Sequence, residues 1–268
     1  HALRAANMLD PARMIVVTGF GADAVARAVA WHGPQAEIVH QPEQRGTAHA
    51  VAQAAPLLAD FEGDAVVLYA DTPFVSAETL ERLQAARHDF DLVVLGFEAA
   101  DPARYGRLVM AGDALERIVE FKDASTEERA ITLCNSGVVC AQAKVLFDLV
   151  GRVEANNAAG EYYLTDIVAL ARAQGLRAGV VCCDQAETLG INTRTELAQA
   201  EAIFQARARA NALENGVTLS APDTVIFALD TEIGRDAIIG PHVVFGPGVT
   251  IESGAEVRAF CDLEGCHI

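Results

Sequence analysis

The most restrictive feature of this chain is a six-residue period near its end. Ile233, Ile239, Phe245, Ile251, Val257 and Leu263 fall six residues apart, and Gly234, Gly240 and Gly246 follow the first three. Two residues before each anchor stand Thr231, Ala237, Val243, Val249, Ala255 and Cys261, all small or apolar. Ordinary β-hairpins rarely keep so strict a repeat. Six steps in register predict short strands, three to a coil of a parallel β-helix, with the anchors stacked inside. Six steps make only two coils, fewer than the roughly three repeats that a solenoid needs for stability.

The residues before this region carry a different rhythm. Apolar runs at Met14–Val17, Ile38–Val39, Ala65–Tyr69 and Leu92–Phe97 alternate with helical stretches at Asp23–Trp31, Thr47–Ala55 and Ser76–His88. Ser76 is the expected N-cap of the last of these, with Glu78 and Glu81 in its first turn. The run Ala65–Tyr69 reads as a strand buried on both faces of a parallel sheet. Together these elements predict a doubly wound, Rossmann-like α/β domain, whose ligands sit beyond the carboxyl ends of the strands. Residues 105–121 look like a hairpin around Ala111-Gly112-Asp113, and Thr195–Glu214 like a long helix serving as a strut. The expected division is 1–193 for the α/β domain, 194–216 for the linker helix and 217–268 for the β-helix.

Charge and composition narrow the function. Twenty basic against 37 acidic side chains leave a net charge of −17, which argues against a nucleic-acid partner, because phosphate neutralisation needs a basic face. Small anionic substrates remain compatible with it, since local cations or a bound metal offset the global field. No apolar run approaches the ~18 residues of a membrane helix. The six cysteines have no disulfide-like spacing, and Cys261, Cys266 and His267 lack the second ligand pair of a structural zinc site. Reduced thiols and a cytoplasmic location fit best. The chain begins with His1 and stops in mid-pattern, so it reads as an internal segment of a longer protein.

The polar runs at the strand ends are the candidate site. Asp71, in Leu68-Tyr69-Ala70-Asp71-Thr72-Pro73, follows a strand and would suit Mg²⁺, which takes one or two protein oxygens plus substrate phosphates; equally, it could accept hydrogen bonds within its turn. Gln41 in Gln41–Thr47 offers a donor and an acceptor to a pyrimidine edge. Gly46 allows close backbone approach, and the helix start after it favours anions; alternatively this run is only a helix cap. Glu120, Asn135-Ser136-Gly137, the patch Gly160–Asp166 and Asn192 are each weak alone. Lys122 reads equally as a solvated charge, Tyr162 and Tyr163 as residues of a core–surface boundary, and His49 as packed or exposed. No Ser-His-Asp set, Walker loop or dinucleotide glycine loop is present.

Taken in order, QPEQRGTAHA (41–50), LYADTP (68–73), YGR (105–107), IVEFKDA (118–124), NSG (135–137), NAAGEYYLTD (157–166) and GINTR (190–194) resemble the bacterial bifunctional N-acetylglucosamine-1-phosphate uridyltransferase / glucosamine-1-phosphate acetyltransferase family. The resemblance covers essentially the whole chain. It implies Mg²⁺-dependent joining of UTP and N-acetylglucosamine 1-phosphate to UDP-N-acetylglucosamine and pyrophosphate, for cell-wall precursor synthesis. By the same resemblance Gln41, Gly46 and Thr47 would hold the uridine, and Tyr69, Ala70 and Asp71 would line the nucleotide side. Asp71 and Asn192 would hold the metal, while Gly106, Glu120 and Asn135 would contact the sugar. It also implies a left-handed β-helix and a homotrimer.

Three departures qualify the match. The family's glycine-rich loop and its following lysine are expected upstream of His1. Ala70 stands where the family usually has glycine. The acetyl-CoA-dependent residues are expected beyond Ile268. The segment alone is therefore expected to be a poor uridyltransferase and no acetyltransferase. Two alternatives stay open: another hexapeptide-bearing sugar-phosphate nucleotidyltransferase, or a catalytically silent scaffold or regulatory homologue.

Overall fold

The computed structural model describes residues 1–268. The chain divides into two compact units, His1–Gly190 and Ile191–Ile268, and each is described by itself.

In the first unit, a short helix α1 (Ala2–Asn7) precedes β1 (Ile15–Thr18), α2 (Ala22–His32) and β2 (Glu37–His40). β1 and β2 form a separate parallel pair, in register from Ile15 opposite Glu37 to Thr18 opposite His40. Next come α3 (Thr47–Ala52), β3 (Asp64–Val67), α4 (Ala77–Ala85), β4 (Leu92–Glu98), and the hairpin β5 (Arg107–Ala111) and β6 (Ala114–Val119). The unit is completed by α5 (Thr126–Arg129), β7 (Leu133–Gln142), α6 (Ala143–Val150), α7 (Ile167–Ala173) and β8 (Ala178–Cys183).

The apolar run of β4 organises this unit. Leu92 and Val94 point into a core shared with α6 and α7, including Leu146, Leu149, Ile167 and Val168. Val93 and Leu95 point the other way, into a core with Leu80 and Leu83 of α4. Period-two alternation with both faces covered is why the strand reads as continuously apolar. Ser76 caps α4 as expected, its hydroxyl accepting the Thr79 N–H at 3.2 Å.

The main sheet is mixed rather than parallel. β4 pairs parallel with β8 but antiparallel with β7. The expectation for Ala65–Tyr69 is corrected on two points: the strand ends at Val67, and it runs antiparallel to β7, with Ala65 opposite Ala141. The reason is β7 itself, a strand of 10 residues. One of its edges is occupied by β4 and the other is shared by β3 and β5. The helix after Gly46 also stops earlier than expected, at Ala52, and a 3₁₀ turn follows at Ala55–Leu58.

The second unit opens with α8 (Arg194–Glu214), entered through a capping box. Thr193 Oγ1 accepts the Glu196 N–H at 3.2 Å, and the Glu196 carboxylate accepts the N–H groups of Asn192 and Thr193 at 2.7 Å each. The helix docks on the coil that follows. Gln205 is buried and forms a closed pair with the backbone of Phe227, donating to its carbonyl at 2.8 Å and accepting its N–H at 2.9 Å.

Beyond α8, β9 (Thr218–Leu219) is followed by β10 (Glu232–Ile233), β11 (Ile238–Ile239), β12 (Val244–Phe245), β13 (Thr250–Ile251), β14 (Glu256–Val257) and β15 (Asp262–Leu263). Each of β10 to β12 pairs parallel with the strand eighteen residues on, one full coil of three hexads. Ile239, Phe245, Ile251 and Val257 are buried, as are Ala237, Val243 and Val249. The repeat extends further back than its glycines show: Val217, Leu219, Val225 and Phe227 belong to the same core. The corners carry the period too, because Asp236, His242, Gly248, Gly254 and Phe260 all have positive φ. Gly240 shows why the strands end in glycine, since a Cβ there would lie 2.6 Å from the Ala259 nitrogen of the next coil.

Inward and outward positions should therefore respond differently. Phe245→Ala, at a site 2% exposed, should cost about 3–5 kcal/mol. Val244→Ala, 39% exposed, should cost under about 0.5 kcal/mol. Native-state hydrogen exchange of the β11–β14 amides checks both, and equal losses would contradict the inward stacking.

Candidate active site

The candidate residues of the first unit stand near strand ends: Gln41 after β2, Asp71 beyond β3, Gly106 before β5, Glu120 after β6 and Asn135 early in β7. Gln41 follows β2 directly and extends its ladder, its backbone N–H donating to Thr18 O at 2.7 Å. The buried carboxamide is held from within its own loop: Nε2 donates to Gly46 O at 3.2 Å and sits 2.9 Å from His49 Nδ1. His49 thus orients Gln41, a role that its place on an alanine-rich helix does not reveal. Gln44 adds a bond from Nε2 to Gln41 O at 3.1 Å.

Gly46 is the pivot of the loop. It precedes α3 with φ +118°, a conformation that side chains rarely adopt. A Cβ there would lie 2.5 Å from Tyr162 O and 2.7 Å from Tyr162 N. That close approach allows a two-way backbone strap: Tyr162 N–H donates to Arg45 O, and Ala48 N–H donates to Tyr162 O, both at 2.9 Å. Thr47 Oγ1 then accepts the Leu164 N–H at 2.9 Å. Gly46 and Thr47 are therefore more than a helix start, because they bind the Gln41 loop to the segment Gly160–Asp166.

That segment reaches the second cluster. Thr165 Oγ1 donates to Glu120 Oε1 at 3.2 Å. Gly106 lies against Glu120, whose carboxylate oxygens are 3.5 Å from where a Cβ would stand. The Gly106 carbonyl accepts the Asn135 N–H at 2.9 Å, and Asn135 Oδ1 accepts the Gly137 N–H at 3.0 Å. Tyr69, Asn135, Gly137 and Thr165 line one small pocket.

Burial dominates the electrostatics of this cluster. It pushes the Glu120 carboxyl above the usual carboxylate range; the Thr165 hydroxyl opposes the shift, and the charges of Asp166 and Asp123 reinforce it. Asp166 is raised by burial and by Asp123. Burial lifts the Tyr69 phenol to about 12, with Thr47 pulling the other way and the charges of Glu120 and Asp71 adding to the rise. Tyr69 is therefore a neutral hydroxyl at physiological pH.

Asp71 and Ala70 are exposed beyond β3. The turn closes without the Asp71 side chain: Thr72 N–H and Thr72 Oγ1 donate to Tyr69 O at 3.4 and 3.2 Å. Its uncommitted carboxylate has the oxygen chemistry that a hard cation requires. Asn192 lies in the second unit, exposed, with its N–H on Glu196. Lys122 is exposed. The structure thus brings together Gln41, Gly46 and Thr47 on one side and Gly106, Glu120 and Asn135 on the other, joined through Tyr162–Thr165. Those joining residues were legible as a polar patch, but without a task.

Residues 6–187 match the nucleotidyl transferase family, and residues 230–261 match the bacterial transferase hexapeptide family of six repeats. The chain is 69% identical over 268 residues to bifunctional protein GlmU of Cereibacter sphaeroides ATCC 17025, covering all of this chain and 59% of that protein. It is 62% identical to the protein of the same name from Paracoccus denitrificans, covering 60% of it. The chain thus spans about three-fifths of the length of these relatives. Among solved structures, a nucleoside-diphosphate-sugar pyrophosphorylase from Vibrio cholerae superposes with TM-score 0.56 at 17% identity, over 74% of this chain and 83% of that one. An apo UDP-glucose pyrophosphorylase gives 0.55 at 15% identity, over 77% and 86%. At such identities these two share the fold.

The raised Glu120 carboxyl has a measurable consequence. The folded protein holds that proton more tightly than the unfolded chain, so its contribution to stability is complete below the ordinary carboxylate pKa and is lost as pH rises through the folded value. Glu120→Gln keeps an acceptor for Thr165 and removes the titration. The variant should gain in urea midpoint relative to the parent as pH rises from about 4 to 7. A difference constant across that range would contradict a raised carboxyl.

Proposed function

The chain belongs to the nucleotidyl transferase family, and from that membership we propose that its first unit transfers a uridylyl group from UTP to N-acetylglucosamine 1-phosphate. The products are UDP-N-acetylglucosamine and pyrophosphate. The observation that carries this is the Gly46–Tyr162 strap, which ties the Gln41 loop, its carboxamide nitrogen held by Gly46 O and His49, to a second cluster around Glu120 and Asn135. The Gln41 carboxamide oxygen would accept from a pyrimidine N–H, and the second cluster would meet the hydroxyls of a sugar.

A phosphate oxygen of N-acetylglucosamine 1-phosphate attacks the α-phosphorus of UTP in line. The new O–P bond forms as the bond to the bridging oxygen of pyrophosphate breaks, and that oxygen carries the electron pair away. The attacking oxygen is already ionised at neutral pH, so no general base is required. What remains for the protein is to hold two anions in alignment. Gln41 would hold the uracil through its carboxamide, fixed from behind by His49. Gly46 and Thr47 would admit the nucleotide against the backbone, with Tyr69, Ala70 and Asp71 along its phosphate side. Gly106, Glu120 and Asn135 would fix the sugar. Glu120 would accept from a sugar hydroxyl through its carboxyl oxygens.

Transferases of this kind generally use divalent metals. For this chain the metal would be Mg²⁺, held by Asp71, with Asn192 given the same task by the resemblance. Such an ion supplies charge neutralisation across the phosphates.

Acetyl transfer from acetyl-CoA to glucosamine 1-phosphate, homotrimer formation and a place in the cytoplasm, where cell-wall precursors are made, belong to the same proposal for the whole protein. No helix is long and apolar enough to cross a membrane.

The test is pyrophosphate release by the full-length product of the gene, offered N-acetylglucosamine 1-phosphate with UTP, dTTP, CTP, GTP or ATP in turn. Release with UTP alone is expected, and Asp71→Asn should lower it on the order of 10²-fold by removing a charge-stabilising ligand. Release with another base would move the chain to a neighbouring specificity, and silence with every nucleotide would leave a scaffold role.

A further inference from the structure

Arg107 is almost wholly buried, at 1% exposure, with no carboxylate against it. A buried guanidinium carries a heavy desolvation cost unless its donors are filled. Here backbone carbonyls fill them. Nη1 donates to Pro102 O at 3.2 Å and to Tyr105 O. Nη2 donates to Ala103 O at 3.1 Å and to Arg129 O at 3.3 Å, and Nε also reaches Arg129 O. The Phe121 ring lies 5.9 Å from its Cζ, with Arg129 at 4.6 Å from the same ring. Ala103, one of the residues held, has φ +38°, which a non-glycine residue adopts only under restraint.

The neighbours of these contacts are the residues proposed to bind the sugar. Gly106 lies between Tyr105 and Arg107, and its carbonyl fixes Asn135. Arg107 pairs across the sheet with Cys134, next to Asn135. Glu120 precedes Phe121. The guanidinium therefore holds the carbonyls of residues 102, 103 and 105 that lead into Gly106, whose own carbonyl holds Asn135, and it stands beside the ring of Phe121, the residue after Glu120. The Gln41–Thr47 loop shares no hydrogen bond with this carbonyl cage and is linked to Glu120 through Tyr162–Thr165.

Resting on the proposed uridylyl transfer, we propose that Arg107 is a positioning residue for the sugar phosphate: its carbonyl cage aligns Gly106, Glu120 and Asn135 without itself touching substrate. Lysine retains the charge but loses the planar fork that spans several carbonyls.

The experiment compares wild type, Arg107→Met and Arg107→Lys in the full-length gene product, measuring KM for each substrate, kcat and melting temperature. Misplacement of the sugar cluster should raise KM for N-acetylglucosamine 1-phosphate about tenfold or more in Arg107→Met. KM for UTP should stay within about twofold, since the Gln41 carboxamide keeps its own bonds to Gly46 O and His49 at the far end of the Thr165–Glu120 link. Arg107→Lys should recover part of the loss. If Arg107→Met does not fold, Phe121→Leu, which removes only the ring beside the guanidinium, is read in the same way. Parallel rises in both KM values, or neither value moving in a folded variant, would overturn the assignment while wild-type release with UTP upheld the reaction. A wild type inactive with UTP would overturn both.

Discussion

The first unit turns on a missing side chain. At Gly46 two backbone segments approach more closely than any Cβ permits, 2.5 Å from its ideal position to Tyr162 O. In exchange, two backbone hydrogen bonds and the Thr47–Leu164 bond join loops more than a hundred residues apart in sequence. On one side lies Gln41, braced by His49; on the other, Thr165 passes the restraint to Glu120. The candidate site is thus a continuous hydrogen-bonded chain, with each residue aligned by the one behind it. Such second-tier bracing is what keeps reactive geometry within tolerance when the chemistry is mainly alignment.

Much of this was legible from the residues. The hexad anchors announced the β-helix because stacking demands the same side-chain type at each turn, and Ile239, Phe245 and Ile251 are buried as that logic requires. β4 was visible because both of its faces are covered. What stayed hidden depends on partners distant in sequence. Nothing in Asp64–Val67 says that its neighbour is antiparallel, since pairing is chosen by the whole sheet. The coil before Glu232 was masked because its glycine steps are gone. Its spacing also slips, with Thr218 pairing twenty residues on and Ile226 eighteen. Positive φ at Asp236, His242 and Phe260 could not be read from residue type either, since the coil imposes it. A buried Arg107 looks, in sequence, like any surface charge.

The acidic balance of the chain, −17 overall, sits beside a proposed reaction between two anions. Burial raises both the Glu120 and Asp166 carboxyls, with the charges of Asp166 and Asp123 adding to the rise at Glu120 and that of Asp123 to the rise at Asp166. Asp71, by contrast, is exposed and uncommitted. The two carboxyl environments differ as their proposed tasks do, one to meet a sugar hydroxyl and the other to meet a cation.

The strap can be tested directly by hydrogen–deuterium exchange on Gly46→Ala. The added methyl must push Tyr162 away, so uptake should rise together in residues 45–48 and 162–165, while Leu92–Glu98 stays protected. Faster exchange confined to 45–48, with 162–165 unchanged, would show that something other than the strap holds the two loops.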